Sequence, residues 1–445
     1  MKNILTLFFL LTLCNNAFAQ NLKFNILSEK ERAKVVDDIL EDRLDNLLPE
    51  LMQREGIDMW VLISREYNED PVMKTILPST WLSARRRTMM VFNKNEETGK
   101  LDKIAIARYS VGKLLRGEWN VDVYPDQWEA LMNTIREKDP NSIGLNFSKD
   151  FALADGLVRT EYESFMGKLP KKFHGRVKSA ERLSIAWLET RSKKELEIYP
   201  MICNMGHQIL QEGLSEKNIH PGITTTSDIE WTLRQLVRGY GLDTWFHPSV
   251  SVQRSDEGNK EFLRSFSKRP DQQIILAGDL LHVDFGITYL RLNTDQQQHF
   301  YVLKPGEKDV PDYLNKAFKN GNRVQDILVE HFKKGKTGNE ILLDALSQAK
   351  KEGLTASIYT HPIGLHGHAA GPTIGMWDSQ GGVKGRGDYP LYENTAYSIE
   401  LFAATEIKEW GKIVRIMLEE DGAFTKDGFY FLDGRMEEIL TIPRN

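Results

Sequence analysis

The chain has 445 residues, of which 27% are charged and 41% hydrophobic, and its formal net charge is -5. This is the balance of a folded protein, not a disordered one, and the length suggests two domains. A mildly acidic chain with no long basic block argues against nucleic acid as the main partner.

The N-terminus reads as a secretory signal peptide over residues 1–19. Lys2 precedes an apolar run from Ile4 to Leu13, and Ala17-Phe18-Ala19 supplies a small-residue cleavage site. The run is too short to span a bilayer, and no later segment is long and apolar enough to do so. The chain is therefore expected to be exported, periplasmic or extracellular, with no membrane association after cleavage. Cys14 and Cys203 are the only cysteines, so one thiol remains and no intrachain disulfide can form. Leu13 is bulkier than a lipid-attachment site at Cys14 usually accepts.

Residues 20–188 read as an α/β domain. Leu44, Leu47, Leu48, Leu51 and Met52 recur at helical spacing, and Gly56 follows as a cap. Residues 59–64 form a buried strand, and 89–93 and 104–109 form two more, separated by a polar turn. A helix over 127–137 precedes a strand at 143–147. Arg85-Arg86-Arg87 reads as a solvated face or the entry to a strand, with an anion site as the alternative.

Residues 189–445 form the second domain. A helix over 192–214 leads to a Pro221-Gly222 turn and a helix over 229–240, capped within Thr226-Ser227-Asp228 and ended by Gly241. From there the chain turns strand-like and carries four pieces with acids or histidines in apolar or glycine-rich settings. These are His282-Val283-Asp284-Phe285-Gly286 with Asn293-Thr294-Asp295, His361-Pro362-Ile363-Gly364-Leu365-His366-Gly367-His368, Tyr397-Ser398-Ile399-Glu400, and Leu418-Glu419-Glu420-Asp421. Buried carboxylates are costly unless paired, protonated or bound to a metal.

Each piece alone has a plainer reading: a surface acid pair, a polar histidine loop, a charged turn. Direct pairing of Asp284 with Asp295 would put the turn at Tyr289-Leu290, neither a usual tight-turn residue, so that register is not adopted. Glu400 sits in what reads as one apolar strand over 396–402. Taken together, Asp284, Asp295, His361, Glu400 and Glu419 form a hard, oxygen-rich set suited to two divalent ions, Mn²⁺, Co²⁺, Zn²⁺ or Fe²⁺. No other cofactor is indicated. There is no His-Glu-x-x-His, Gly-x-Ser-x-Gly or Cys-x-x-Cys pattern.

At these residues the chain resembles the pita-bread metallopeptidase family, which includes aminopeptidase P, prolidase, methionine aminopeptidase and creatinase. Asp284 with Gly286, Asp295, His361 and Glu400 match the family's ligand pattern, and Glu419 is chosen over Glu420 because of its spacing to Thr425. His368 matches a substrate histidine. The resemblance covers about residues 190–430. It implies an α+β pita-bread catalytic domain of the creatinase/aminopeptidase type behind the α/β domain. It also implies a dinuclear exopeptidase for short peptides, Xaa-Pro bonds foremost, with a hydroxide shared between the ions. In that scheme Asp284 chelates one ion, His361 and Glu400 hold the other, and Asp295 and Glu419 bridge. Glu400 moves the proton and His368 steadies substrate or oxyanion. Relatives of this kind often form homodimers.

The chain departs from the family pattern at several points. Asp-x-Thr-Arg is here Asp295-Gln296-Gln297-Gln298. Glu-Pro-Gly is Glu400-Leu401-Phe402. An arginine before the last glutamate is Met417, and an upstream substrate histidine falls near Ser267, with His247 the nearest upstream candidate. Three other readings follow: a creatinase-like hydrolase needing no metal, a metal- or peptide-binding protein without turnover, and a mononuclear zinc site on His361, His366 and His368. The full ligand set speaks against the first.

Overall fold

The computed structural model describes residues 25–95, 100–255 and 272–444. The expected signal peptide and the Ser267 region lie outside them. The chain divides into two compact units, one comprising Leu27–Leu196 with His368–Gly371, the other Glu197–Gly367 with Pro372–Asn445. The divide falls inside the helix Lys193–Gly213, a little beyond the 188/189 boundary read from the sequence.

In the N-terminal unit, α1 (Glu29–Asp42) opens on a capping box in which Ser28 and Glu31 satisfy each other's backbone N–H groups. It runs through a π turn into α2 (Leu48–Glu55), which Gly56 ends at φ 65°. The strands are β1 (Met59–Arg65), β2 (Arg87–Lys94), β3 (Leu101–Ala105), β4 (Arg116–Gly117), β5 (Ile143–Leu145) and β6 (Val177–Ser179). They form one sheet in the order β4-β3-β2-β1-β5-β6. The central β1 is buried on both faces, which explains its unbroken apolar run. Met59, Val61 and Ile63 pack with Trp128, Leu131 and Ile135 of α3 (Gln127–Lys138), each side chain worth roughly 1.5–3 kcal/mol of burial.

Two sequence expectations shift here. The strand placed at 104–109 is Leu101–Ala105, and the chain bends away after it. The polar Leu101-Asp102-Lys103 start hides the strand from an apolar-run criterion. In the arginine run, Arg87 opens β2 and pairs with Glu161 at 2.9 Å, Arg85 lies over the Trp81 ring, and Arg86 is exposed.

In the C-terminal unit, α4 (Lys193–Gly213) is followed by α5 (Thr226–Gly239). The cap of α5 is Thr225, which forms a capping box with Asp228, one residue ahead of the expected stretch. The strands continue as β7 (Ser249–Gln253), β8 (Leu280–Phe285), β9 (Thr288–Tyr289), β10 (Leu292–Asn293) and β11 (Gln296–Val302). The helices α6 (Asp312–Glu330) and α7 (Gly338–Lys351) come next. Then follow β12 (Thr355–Ile358), β13 (His361–Pro362), β14 (Thr395–Ser398), β15 (Leu401–Ile407), β16 (Lys412–Leu418), β17 (Asp421–Thr425), β18 (Gly428–Phe431) and β19 (Leu440–Ile442). Three sheets matter for the site, in the orders β19-β11-β8-β7, β12-β15-β16 and β13-β14-β17-β18. The apolar faces of α6 and α7 pack on β15 and β12 through Ile327, Leu328, Ile341, Ala345, Ile358 and Leu401. Among the described residues no helix is long and apolar enough to cross a membrane.

Candidate metal centre

The first two acids come from one hairpin. On the β8/β11 ladder Asp284 faces Gln297 and His282 faces His299. The same register continues through β9 and β10, where Tyr289 faces Leu292. The turn is therefore Leu290-Arg291, with φ of 51° and 68° at its two residues, the geometry usually given to Asn-Gly. Asp284 does not pair with Asp295, so the register rejected in the sequence is not formed. Because side chains alternate with period two, Asp295, Gln297 and His299 share a face with Asp284 and His282. Gly286 permits the close approach inside this hairpin: a Cβ there would sit 2.2 Å from the Thr294 carbonyl oxygen.

The other ligand candidates come from three strands that pass from one sheet into another. Ser398 faces Asp421 in one sheet and Leu401 faces Leu418 in the next, so β14–β15 and β16–β17 keep a single register across the break. Glu400 and Glu419 fall in that break, opposite one another. This corrects the reading of Glu400 as a residue within a strand: it lies between two strands of different sheets. The strand pair β12–β13 breaks at the same level, with Ile358 facing Leu401 and His361 facing Ser398. At a break the carboxylate can leave the alternation of either sheet, and the Glu400 carbonyl is taken up by the Tyr359 N–H at 3.1 Å. Glu419 joins the first hairpin through its carbonyl, which accepts from the Gln297 N–H at 2.9 Å.

Within the C-terminal unit the result is two overlapping groups. Asp284, Asp295 and Glu419 bring ligand atoms within 4.8 Å of one another, as do His361, Glu400 and Glu419. Glu419 belongs to both. His361 Nε2 lies 3.4 Å from Glu419 Oε1 and 3.5 Å from Asp295 Oδ2. Its Nδ1 lies 3.0 Å from the Pro362 carbonyl, which can only accept, so Nδ1 carries a proton and Nε2 is left facing the carboxylates.

The electrostatics are those of an anionic pocket. Burial, then the charges of Glu419 and Asp284, raise the Asp295 carboxyl well above its ordinary range. Burial and Glu419 do the same to Glu400. Burial pulls the His361 imidazole down, but Glu419 and Glu400 outweigh it and the ring is pushed up to about 9. Asp295 Oδ1 is buried with no hydrogen-bond donor, a state that costs on the order of 1–3 kcal/mol unless something positive meets it. Carboxylate oxygens with one imidazole are the donor set that a divalent cation of intermediate hardness takes. The residues present fit such ions.

Surrounding contacts hold the carboxylates in place. Ser398 Oγ donates to Glu419 Oε1 at 2.6 Å, and the Asp295 N–H donates to Asp421 Oδ2 at 3.1 Å. Glu420 turns the other way, as alternation requires. It accepts from His207 Nε2 at 2.7 Å and from the Met436 N–H at 3.0 Å, and joins neither group. His207 Nδ1 lies 2.8 Å from Asp433 Oδ2. Burial lowers that ring, yet Glu420 and Asp433 push it up to about 10, so it carries the charge that neutralises Glu420.

The histidine loop is only partly drawn in. His366 is half-buried and joins no candidate group among the described residues, so a three-histidine zinc site is not assembled. Gly367 lies against the Trp245 ring, where a Cβ would come within 2.4 Å. His368 is exposed, in the short segment that groups with the N-terminal unit. His247 is also exposed and sits beside Trp231, with Glu230 at 3.8 Å. Sequence reasoning missed Gln297, Ser398 and Asp421. Gln297 was within reach, since it lies two residues beyond Asp295 on the same strand face.

The sequence profile of metallopeptidase family M24 matches residues 201–426, a little over half of the chain. The chain belongs to that family. No curated protein matches it. Among solved structures it is similar to an X-Pro aminopeptidase from Thermotoga maritima, at 16% identity and a TM-score of 0.60, over 88% of this chain and 100% of that one. It is also similar to an Xaa-Pro dipeptidase from Bacillus anthracis, at 16% identity and a TM-score of 0.58, over 93% and 100%. A third likeness is the N-terminal domain of the FACT complex subunit SPT16 from chickpea, at 14% identity and a TM-score of 0.54, over 93% and 98%. These likenesses establish the fold: a pita-bread catalytic domain preceded by an α/β domain. Family M24 is metal-dependent, and the acids and histidine described above are groups that can hold ions.

Proposed function

We propose that this chain is a two-metal exopeptidase that cleaves short peptides, Xaa-Pro bonds foremost. The observation that carries the reading is Glu419, a member of both the Asp284–Asp295 ligand group and the His361–Glu400 ligand group. Asp284 would hold one ion, His361 and Glu400 would hold the other, and Asp295 and Glu419 would serve both. The bound ions supply Lewis-acid polarisation of the scissile carbonyl and a water acidic enough to attack at neutral pH. Glu400 takes a proton from the attacking water at a carboxylate oxygen and returns it to the leaving amine nitrogen. His368 binds the substrate and steadies the developing oxyanion. The X-Pro and Xaa-Pro names of the structural neighbours support the choice of first substrates. The same proposal places the protein outside the cytoplasm, on the pattern from Lys2 to Ala19.

The test is to load purified protein with Mn²⁺, count ions per chain and assay Xaa-Pro and non-proline peptides. Two ions with Xaa-Pro cleavage is the expected result. Two ions with no cleavage of any peptide would favour a binding protein, in line with the glutamines that replace the usual Thr and Arg after Asp295. Fewer than two ions at saturation overturns the dinuclear assignment. His368→Ala should keep both ions and slow hydrolysis; an unaffected rate removes His368 from the substrate role.

A further inference from the structure

Gln297 stands at the centre of the ligand set without being a ligand type that metal sites favour. Its side-chain Nε2 donates to Glu400 Oε1 at 2.6 Å and to Glu419 Oε2 at 2.6 Å. Its Oε1 lies 2.7 Å from His282 Nε2. The side chain is buried. Chemistry fixes the orientation of every group in this chain of contacts. An amide oxygen cannot face two carboxylates, so the NH₂ end must. The amide oxygen can only accept, so His282 Nε2 carries a proton. The Ser251 hydroxyl stands 3.4 Å from His282 Nδ1, the remaining ring nitrogen. The neighbouring His299 ring, 5.3 Å away between centroids, is held neutral by burial, down to about 4. Its Nδ1 meets the Leu281 carbonyl at 3.1 Å and its Nε2 accepts from the Met417 N–H at 3.0 Å, so it closes the back of the relay without competing for Gln297.

The decisive feature is the number of hydrogens. An amide NH₂ carries two and gives one to each glutamate. A hydroxyl at the same position would carry one and could tie only one of them. Glu400 and Glu419 lie opposite each other at the sheet break, and Glu419 is the member common to both ligand groups. On Glu419 the second oxygen is held by Ser398 at 2.6 Å. Each of the two glutamates therefore has one oxygen pinned by the same neutral group, which fixes their mutual angle and leaves lone pairs directed at the ligand cluster.

We propose that Gln297 is a positioning residue that couples Glu400 to Glu419, and that His282 sets its orientation. This rests on the two-metal reading above. Outer contacts of this kind are worth about 10–100-fold in metal affinity. The experiment is calorimetric Mn²⁺ titration of the full-length wild type, Gln297→Leu, Gln297→Thr, His282→Ala and the His282→Ala/Gln297→Leu double variant, with the melting temperature of each metal-free chain as the control for folding. Gln297→Leu is expected to weaken the ion served by both glutamates about 10–100-fold. Gln297→Thr, with one donor, should fall between it and the wild type. The double variant should bind no worse than Gln297→Leu, because His282 acts only through Gln297. An unchanged affinity in Gln297→Leu overturns the proposal, and so do additive losses in the double variant. If Gln297→Leu does not fold, the decision passes to Gln297→Thr and His282→Ala, where unchanged affinity in both overturns it. A wild type that binds no ions would instead be a failure of the two-metal reading.

Discussion

The two units each bury a cluster of charge, and they treat it in opposite ways. In the N-terminal unit Glu195 lies between Arg43 and Arg191, at 2.5 Å and 2.9 Å, all three almost wholly buried. Further guanidinium hydrogens go to the carbonyls of Trp187, Thr190 and Leu188. Burial would raise the Glu195 carboxyl, yet Arg191 and Arg43 hold it below its usual range. Arg43, lowered by burial to about 10, stays charged at neutral pH. In the C-terminal unit the carboxylates of Asp284, Asp295, Glu400 and Glu419 meet a single imidazole. In charge the first cluster is complete, since the chain itself supplies the guanidinium groups that meet Glu195. In the same sense the second is incomplete, with four carboxylates to one imidazole, and that excess of buried negative charge suits it to cations.

The largest effect that tests this contrast is on the incomplete cluster. Asp295→Ala or Glu400→Ala should abolish two-ion loading and turnover together, as read by metal analysis and peptide hydrolysis. Unchanged stoichiometry in either variant would sink the assignment. The complete cluster should answer in the other currency. Glu195→Ala leaves two buried guanidinium groups facing one another and should cost about 3–5 kcal/mol in urea unfolding. If the variant retains structure, its ion count should be that of the wild type.

A third expectation concerns pH. In chelator, Asp295 and Glu400 have folded-state values raised above the ordinary 3.8 and 4.5. Their contribution is fully present below those ordinary values and is lost as pH rises through the raised ones. The metal-free chain should therefore lose stability as pH rises above about 4.5. Mn²⁺ should flatten that slope, and a slope unaffected by Mn²⁺ would detach these carboxylates from the ions. The smallest effect is expected at His207, raised from 6.5 to about 10. Its contribution is full below 6.5 and disappears as pH rises through 10, so His207→Gln should cost about 1.5–3 kcal/mol at pH 7 and much less near pH 10.

Much of this was legible in the chain, because a buried acid in an apolar run is visible without a structure. Asp284 and Glu400 stood out that way and His361 as one of three histidines in eight residues, whereas Asp295 and the choice of Glu419 over Glu420 leaned on the family spacing. The pairings were not legible. Leu290-Arg291 gives no turn signal, since both residues adopt positive φ only because the strands on either side hold them there. The break between β14 and β15 is invisible to periodicity, as Ile399 and Leu401 keep the run apolar across it. Gln297 was read only as a departure from an expected threonine, because its two-sided contact depends on strands distant in sequence.

The unbroken register across the sheet change sets a rule for how this site can vary. Glu400 and Glu419 are connected through the turn Lys408–Trp410 and Gly411. Residues added in that turn lengthen the sequence interval between the glutamates while leaving them face to face. One residue added inside β15 does the reverse: the interval barely changes, and Glu400 is carried to the opposite side of the ladder. The interval is elastic and the opposition is not. Distant kin of this chain are thus better aligned by which residues stand across from each other than by counting along the sequence.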